Sequence, residues 1–231
     1  KDLPKPQPKS QSLPNSLLLA NVQALRDTGK MSLLHCAGRT RSIIGAFTLM
    51  ASGFDGPFAV FRGGTQAWQL DGYEREHDAN RLFAADYEAS DAVGNFLRRW
   101  QIPATQIKAD GLGAFVVEHK TELLFDVSDD GATGQPLAHG VIKISGTNLI
   151  QQTDRSIARY HVPIVLFDQG SGSRAAFAAF WLRCMGFSVT IACLDAPIAA
   201  FQTITNTVTN NIASNNASSV TPFAATQLDI W

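Results

Sequence analysis

The stretch LLHCAGRTRSIIGAF, Leu33–Phe47, sets one thiol, Cys36, beside the guanidinium groups of Arg39 and Arg41. An apolar run of strand type precedes the cysteine, and apolar residues at helical spacing follow Arg41, so the thiol stands in a loop between a strand end and a helix start. A helix N-terminus presents unpaired N–H groups and about half a positive charge. Those groups and the two arginines favour thiolate over thiol and lower the cysteine pKa. Ser42 is placed to cap the helix. The combination suits a nucleophilic sulfur facing an anionic substrate. The plainer alternative is a structural cysteine beside surface arginines; Gly38 and the strand–loop–helix context favour the nucleophile.

The elements that must position this loop follow from pattern and punctuation. Ser16–Lys30 has apolar residues at helical spacing, with Gly29 as its C-cap. MSLLH is a short buried strand, RSIIGAFTLMASGF a helix closed near Gly53, PFAVFRGG a strand running into a glycine turn, and TQAWQLDGYE a helix start. A helix is expected around Tyr87–Trp100. Strands are expected at TELLFDVSDD and HGVIKIS, then strand, glycine-serine loop and helix in HVPIVLFDQGSGSRAAFAAFWLRCMGF, and strand, turn and helix in SVTIACLDAPIAAF. Strands alternating with helices imply parallel βαβ units and an α/β fold. Of 231 residues, 45% are hydrophobic, enough to bury a core, and the net charge of −1 gives no electrostatic reason to expect nucleic acid or an anionic membrane. There is no apolar run of about 18 residues and no signal-peptide pattern, which points to the cytoplasm. Three cysteines form neither a disulfide framework nor a zinc motif.

One unit occurs twice. LLHCAGRTRSIIGAFTLMASGF and VLFDQGSGSRAAFAAFWLRCMGF both run strand, loop, helix, Gly-Phe, with Asp168 standing where Cys36 stands in the first copy. Asp168 is expected to accept loop N–H bonds and hold its turn. Cys184 and Cys193 read as buried apolar fillers. Gly170–Ser173 at a helix start could hold an anion, but a lone Gly-Ser loop is a weak signal. His35 reads as a strand residue facing the core, and Trp68 either walls a pocket or packs in the core.

Loop length separates two cysteine chemistries. His-Cys, five residues, Arg is the tyrosine-phosphatase pattern; here four residues, Ala37 to Thr40, separate Cys36 from Arg41. A loop one residue shorter encloses a single extra sulfur atom rather than a tetrahedral phosphate, which favours persulfide chemistry. HCAGRTRS followed by helix, strand and FRGGTQAW resembles a rhodanese domain, including Gly63, Gly64 and Trp68. The second half, with LLFDVSDD, HGVIKISG and VLFDQGSGSRAAFAAF, is similar to a complete rhodanese domain without the cysteine, and the CAGRTRS form resembles proteins with several such domains in tandem.

The resemblance implies tandem rhodanese-like domains, each a small parallel sheet flanked by helices. Residues 1–15 would be a flexible arm, 16–80 a partial domain carrying the cysteine loop, 81–105 a helical linker, 106–203 a second domain without the cysteine, and 204–231 a polar tail. It implies a sulfurtransferase in which Cys36 is catalytic and the loop residues Ala37, Gly38, Arg39, Thr40 and Arg41 bind substrate. An anionic sulfur donor such as thiosulfate and a thiol or cyanide acceptor would be the partners, with no cofactor, no metal, no nucleic acid and no membrane. The alternative is a non-catalytic sulfur-carrier or interaction module. The first copy lacks the half that precedes the cysteine strand in the family. Its open strand edges require that the two copies pack together, that the chain forms a homo-oligomer, or that missing upstream domains cover it.

Overall fold

A computed structural model of the chain describes residues 10–38, 40–77, 81–83, 90–128 and 136–195. The expected helix after Asp195 and the polar tail lie outside the described residues.

The run IVLFDQ is apolar at successive positions, as a strand buried on both faces must be. It forms the central strand of the larger sheet. That sheet contains β3 (Ala104–Ile107), β4 (Leu123–Asp126), β5 (Val141–Lys143), β6 (Ile164–Gln169) and β7 (Val189–Leu194). Its order is β3-β7-β6-β4-β5 and every pairing is parallel. A second, two-stranded parallel sheet joins β1 (Ser32–Leu34) to β2 (Phe58–Val60), with Leu33 opposite Ala59. The α/β class with parallel sheets flanked by helices is therefore the architecture observed.

The helices are α1 (Val22–Asp27), α2 (Thr40–Ser52), α3 (Gly64–Leu70), α4 (Ser90–Arg99), α5 (Leu112–Glu118), α6 (Gly146–Gln151), α7 (Thr153–Ser156) and α8 (Ser173–Cys184). The expected helix over Ser16–Lys30 is broken into 3-10 turns at Asn15–Leu17 and Leu19–Asn21 before α1 begins. The Asn21 side chain gives the reason: it is buried and donates to the Leu17 carbonyl, competing with the backbone for that acceptor. Two elements have no counterpart in the sequence reading. β3 crosses the expected 105/106 boundary, and α5 follows it; ATQI alternates with polar residues and lies mostly exposed at a sheet edge, so it carries no apolar signal. Within the segment read as an arm, Ser12 exchanges backbone hydrogen bonds with Arg81 and Phe83.

Helix α8 joins the two parts. Ala175 to Phe180 and Leu182 are all buried, because β6 and β7 pack on one side and the cysteine-bearing part on the other. Ile44 and Ala51 of α2 and Leu19 lie against this core. The polar contacts across the seam are specific. Ser173 donates to the Ser16 carbonyl at 2.8 Å and accepts from the Ala20 N–H at 3.3 Å, and the Trp181 indole donates to Thr48 Oγ1 at 3.0 Å. The cysteine-bearing part and the part that carries α8 thus pack against each other.

Asp168 ends the buried part of β6, and its carboxylate accepts from the Gln169 N–H at 2.8 Å and the Ala175 N–H at 2.9 Å. It holds the turn into α8 as expected and occupies the place an external anion would take over Gly170–Ser173. Burial pushes its pKa from 3.8 up to about 6, against the pull of those N–H groups and Arg174. Because the folded value lies above the unfolded one, this group's stabilising contribution is complete below about pH 4 and is lost as pH rises through 6. Asp168→Asn removes that dependence. Urea unfolding at a series of pH values is expected to show wild type losing roughly 1.4 kcal/mol per pH unit relative to the variant between about pH 4 and 6, with the difference flat above 7.

Candidate active site

β1 ends at Leu34 and α2 begins at Thr40, so Cys36, Ala37 and Gly38 lie in the turn between them. Thr40 is exposed and Arg41 half-buried in the first turn of α2; Arg39 lies outside the described residues. The structure therefore brings Cys36, Ala37, Gly38, Thr40 and Arg41 to one strand–helix junction.

The Cys36 sulfur is partly exposed and lies 3.5 Å from Ser42 Oγ. Burial pushes its pKa up. The Ser42 hydroxyl, the N–H groups of Ser42 and Gly38, and the Arg41 charge act against burial and prevail, so the thiol sits below its ordinary value. The other two cysteines contrast with it. Burial and the nearby Asp168 carboxylate push Cys193 up to about 11. Cys184, expected in the core, is instead exposed at the end of α8, where the helix runs out past its buried face, and partial burial raises its pKa. Only Cys36 has surroundings that favour a thiolate.

What shapes the loop is α3. The Thr65 N–H donates to the Cys36 carbonyl at 2.9 Å, the Gln66 N–H to the Ala37 carbonyl at 3.0 Å, and Thr65 Oγ1 to the Cys36 carbonyl at 3.2 Å. First-turn N–H groups of a helix have no partner within it, and here the loop carbonyls supply one. With those carbonyls drawn toward α3, the Gly38 and Ser42 N–H groups are left to serve the sulfur. The approach is close: a Cβ on Gly64 would stand 2.1 Å from the Cys36 carbonyl oxygen, and Gly64 has φ +55°. Gly63, at φ +74°, starts the helix. The sequence marks the glycine pair as a turn after a strand but gives Thr65 no role; a Gly-Gly-Thr turn opening a helix is the one signal that points to it.

Other positions serve the frame. Asn15 Nδ2 donates to the Arg41 carbonyl at 2.7 Å and packs against Gly45, fixing the start of α2. Trp68 donates to the Glu74 carbonyl and packs against Tyr73 at a tilt and against Phe61 edge-on, a packing role at the end of α3. His35 is half-buried, its Nδ1 has no hydrogen-bond partner, and burial lowers its pKa, so it is neutral at pH 7. Among the described residues no three metal-ligating side chains stand together, and no helix is long and apolar enough to cross a membrane.

Among solved structures the chain is similar to a thiosulfate sulfurtransferase from Pseudomonas aeruginosa, with 30% sequence identity and a TM-score of 0.64 over 83% of this chain and 37% of that one. It also aligns with a 3-mercaptopyruvate sulfotransferase of the rhodanese fold from Escherichia coli, with 18% identity and a TM-score of 0.34 over 83% of this chain and 77% of that one, a likeness too low to argue from. No protein-family model and no curated protein matches the chain. The chain spans little more than a third of the length of the first structure. With its parallel α/β fold and its cysteine at a strand–helix turn, the chain resembles part of a rhodanese-like sulfurtransferase.

Gly64→Ala is expected to force the Cys36 carbonyl away from α3. It should cost about 1–3 kcal/mol in urea unfolding and slow alkylation of Cys36 at neutral pH, as the sulfur loses aligned N–H groups. Gly72→Ala is the control: Gly72 also has positive φ, +83°, but nothing lies within 4 Å of its Cβ position. It should reduce stability while leaving Cys36 reactivity unchanged.

Proposed function

We propose that this protein is a rhodanese-type sulfurtransferase that moves a sulfane sulfur from an anionic donor such as thiosulfate to a thiol or cyanide through a Cys36 persulfide. The observation that carries the reading is the Cys36 sulfur held below its ordinary pKa by Ser42 and by the Ser42 and Gly38 N–H groups at the start of α2. The name of the structure 30% identical to it gives independent support.

In the first step the Cys36 thiolate attacks the outer sulfur of thiosulfate. A new S–S bond forms, the donor's S–S bond breaks, and sulfite leaves with the electron pair. In the second step the acceptor attacks the outer sulfur of the persulfide, and Cys36 departs as thiolate. Each step leaves negative charge on or beside the same sulfur, so the Ser42 and Gly38 N–H groups stabilise donor, transition state and persulfide alike. Arg41, in the first turn of α2, binds the anionic donor together with Arg39, while Ala37, Gly38 and Thr40 shape the cradle. The reaction needs no cofactor. Cys36 works as a thiolate, which suits the cytoplasm.

Incubation with thiosulfate and cyanide is expected to yield thiocyanate, and Cys36→Ser is expected to fall to the rate in buffer. A wild-type rate equal to buffer would refute the reading. The rate should rise with pH through a midpoint below that of an ordinary cysteine thiol, since the thiolate is the reactive form. Ser42→Ala, which removes a hydrogen bond to the sulfur, should move that midpoint upward.

A further inference from the structure

Two backbone N–H groups face the Cys36 sulfur, those of Gly38 and Ser42. Each belongs to a planar peptide unit, and a trans peptide points its C=O and its N–H in opposite directions. Fixing the oxygen therefore fixes the direction of the N–H. The unit that carries the Gly38 N–H has the Ala37 carbonyl at its far end, and the Gln66 N–H donates to that oxygen at 3.0 Å. The unit that carries the Ser42 N–H has the Arg41 carbonyl at its far end, and there Asn15 Nδ2 donates at 2.7 Å. Both planes that serve the sulfur are thus gripped from behind. The first grip is made by the backbone of α3, the second by a side chain 26 positions from Arg41 in sequence.

The surroundings of Asn15 are fitted to this contact. Its Oδ1 lies 2.7 Å from where a Cβ on Gly45 would stand, so the carboxamide occupies the space that a glycine leaves on α2. Its neighbour Ser16 is fully buried, and the Ser16 carbonyl accepts the Ser173 hydroxyl at 2.8 Å, so the start of α8 anchors the segment that carries Asn15. A hydrogen bond to a carbonyl polarises its peptide and strengthens the bond that the N–H of that peptide donates. We propose that Asn15 is a positioning residue for the Cys36 sulfur: through the Arg41–Ser42 peptide it sets the direction and strength of the Ser42 N–H bond to that atom. It acts one peptide unit away from the sulfur. By way of Ser173 and Ser16, the half without the loop cysteine thereby helps to hold the reactive atom of the other. A role in sulfur transfer rests on the function proposed above, whereas the state of the thiol can be read without turnover.

The test titrates the Cys36 thiolate by its ultraviolet absorbance, with the spectrum of the same protein carrying Cys36→Ser subtracted to remove Cys184 and Cys193. Asn15→Leu keeps the bulk of the side chain and removes its donor. It is expected to raise the titration midpoint and, below that midpoint, to slow alkylation of the Cys36 peptide about 3-fold, read by mass spectrometry. Asn21→Ala is the control, because Asn21 lies in the same segment and donates to the Leu17 carbonyl rather than to that of Arg41. It should lower stability in urea and leave the midpoint where it is. Gly45→Ala reaches the same hydrogen bond from α2, since its Cβ must displace the Asn15 carboxamide, and alanine is favoured over glycine inside a helix. It should also raise the midpoint, and it decides the question if Asn15→Leu does not fold. A midpoint unchanged in Asn15→Leu, or in Gly45→Ala standing in for it, would overturn the inference. So would an equal rise in Asn21→Ala, for then loosening of the segment accounts for the shift. A wild type that forms no thiocyanate would refute sulfur transfer and leave the titration result standing.

Discussion

Helix α8 is buried on every side from Ala175 to Phe180, and the rest of the molecule is arranged around that fact. A helix in a two-layer α/β protein ordinarily buries one stripe and shows the other to water. The sequence AAFAAF is apolar all round, so both sides must be covered. The larger sheet takes one side; the 3-10 turns before α1, together with α2 and α4, take the other. The small residues Ala175, Ala176, Ala178 and Ala179 let these neighbours approach closely, and the aromatics Phe177 and Phe180 fill the space that remains. The hydrogen bonds from Trp181 to Thr48 and from Ser173 to Ser16 then fix the seam in one register. The cysteine-bearing half has only a small core of its own, Leu18, Val22, Leu49 and Phe54. Its order is borrowed through α8.

The two strand–helix turns solve one electrostatic problem in opposite ways. Each presents helix N–H groups to whatever stands at the strand end. In the second half an internal carboxylate, Asp168, accepts them at the cost of a buried charge, seen in its raised pKa. In the first half a sulfur stands there, partly open to solvent, and the same kind of donors pull its pKa down. A carboxylate that fills its own anion site closes it to substrates. A thiolate in the corresponding place leaves a reactive atom facing outward. Similar backbone geometry therefore yields a structural brace in one half and a partly exposed thiol of lowered pKa in the other.

Much of this was legible in the sequence because the central elements carry strong signals. IVLFDQ and AAFAAFWL can only be a buried strand and a buried helix, and the cysteine–arginine spacing sets the loop. Asp168 was readable as a brace because it occupies the cysteine's place at a helix start. The less legible features arise from tertiary contact. β3 lies at an edge and carries polar residues, so its pattern says nothing until β7 pairs with it. Asn21 breaks an apolar helical pattern by a hydrogen bond that only its burial makes worthwhile. Thr65 touches Cys36 across 29 positions of sequence, and no local rule joins them. Cys184 reads as core because its helix is core, but it falls where the covering ends.

The asymmetry between the halves bears on how the Cys36 sulfur is held. A catalytic loop is best carried on rigid elements whose own positions are fixed by a surrounding layer. Here Ile44 and Ala51 of α2 pack against the core that α8 joins, whereas Leu33 of β1 is 45% exposed. The loop is accordingly tied where the structure is strong: Asn15 to the Arg41 carbonyl, Ser42 to the sulfur, Thr65 and Gln66 to the Cys36 and Ala37 carbonyls. None of these ties involves the exposed edge of β1. The strand that delivers Cys36 is three residues long and, among the described residues, pairs with β2 alone. The position of the sulfur therefore rests on the ties to its loop more than on the pairing of its strand.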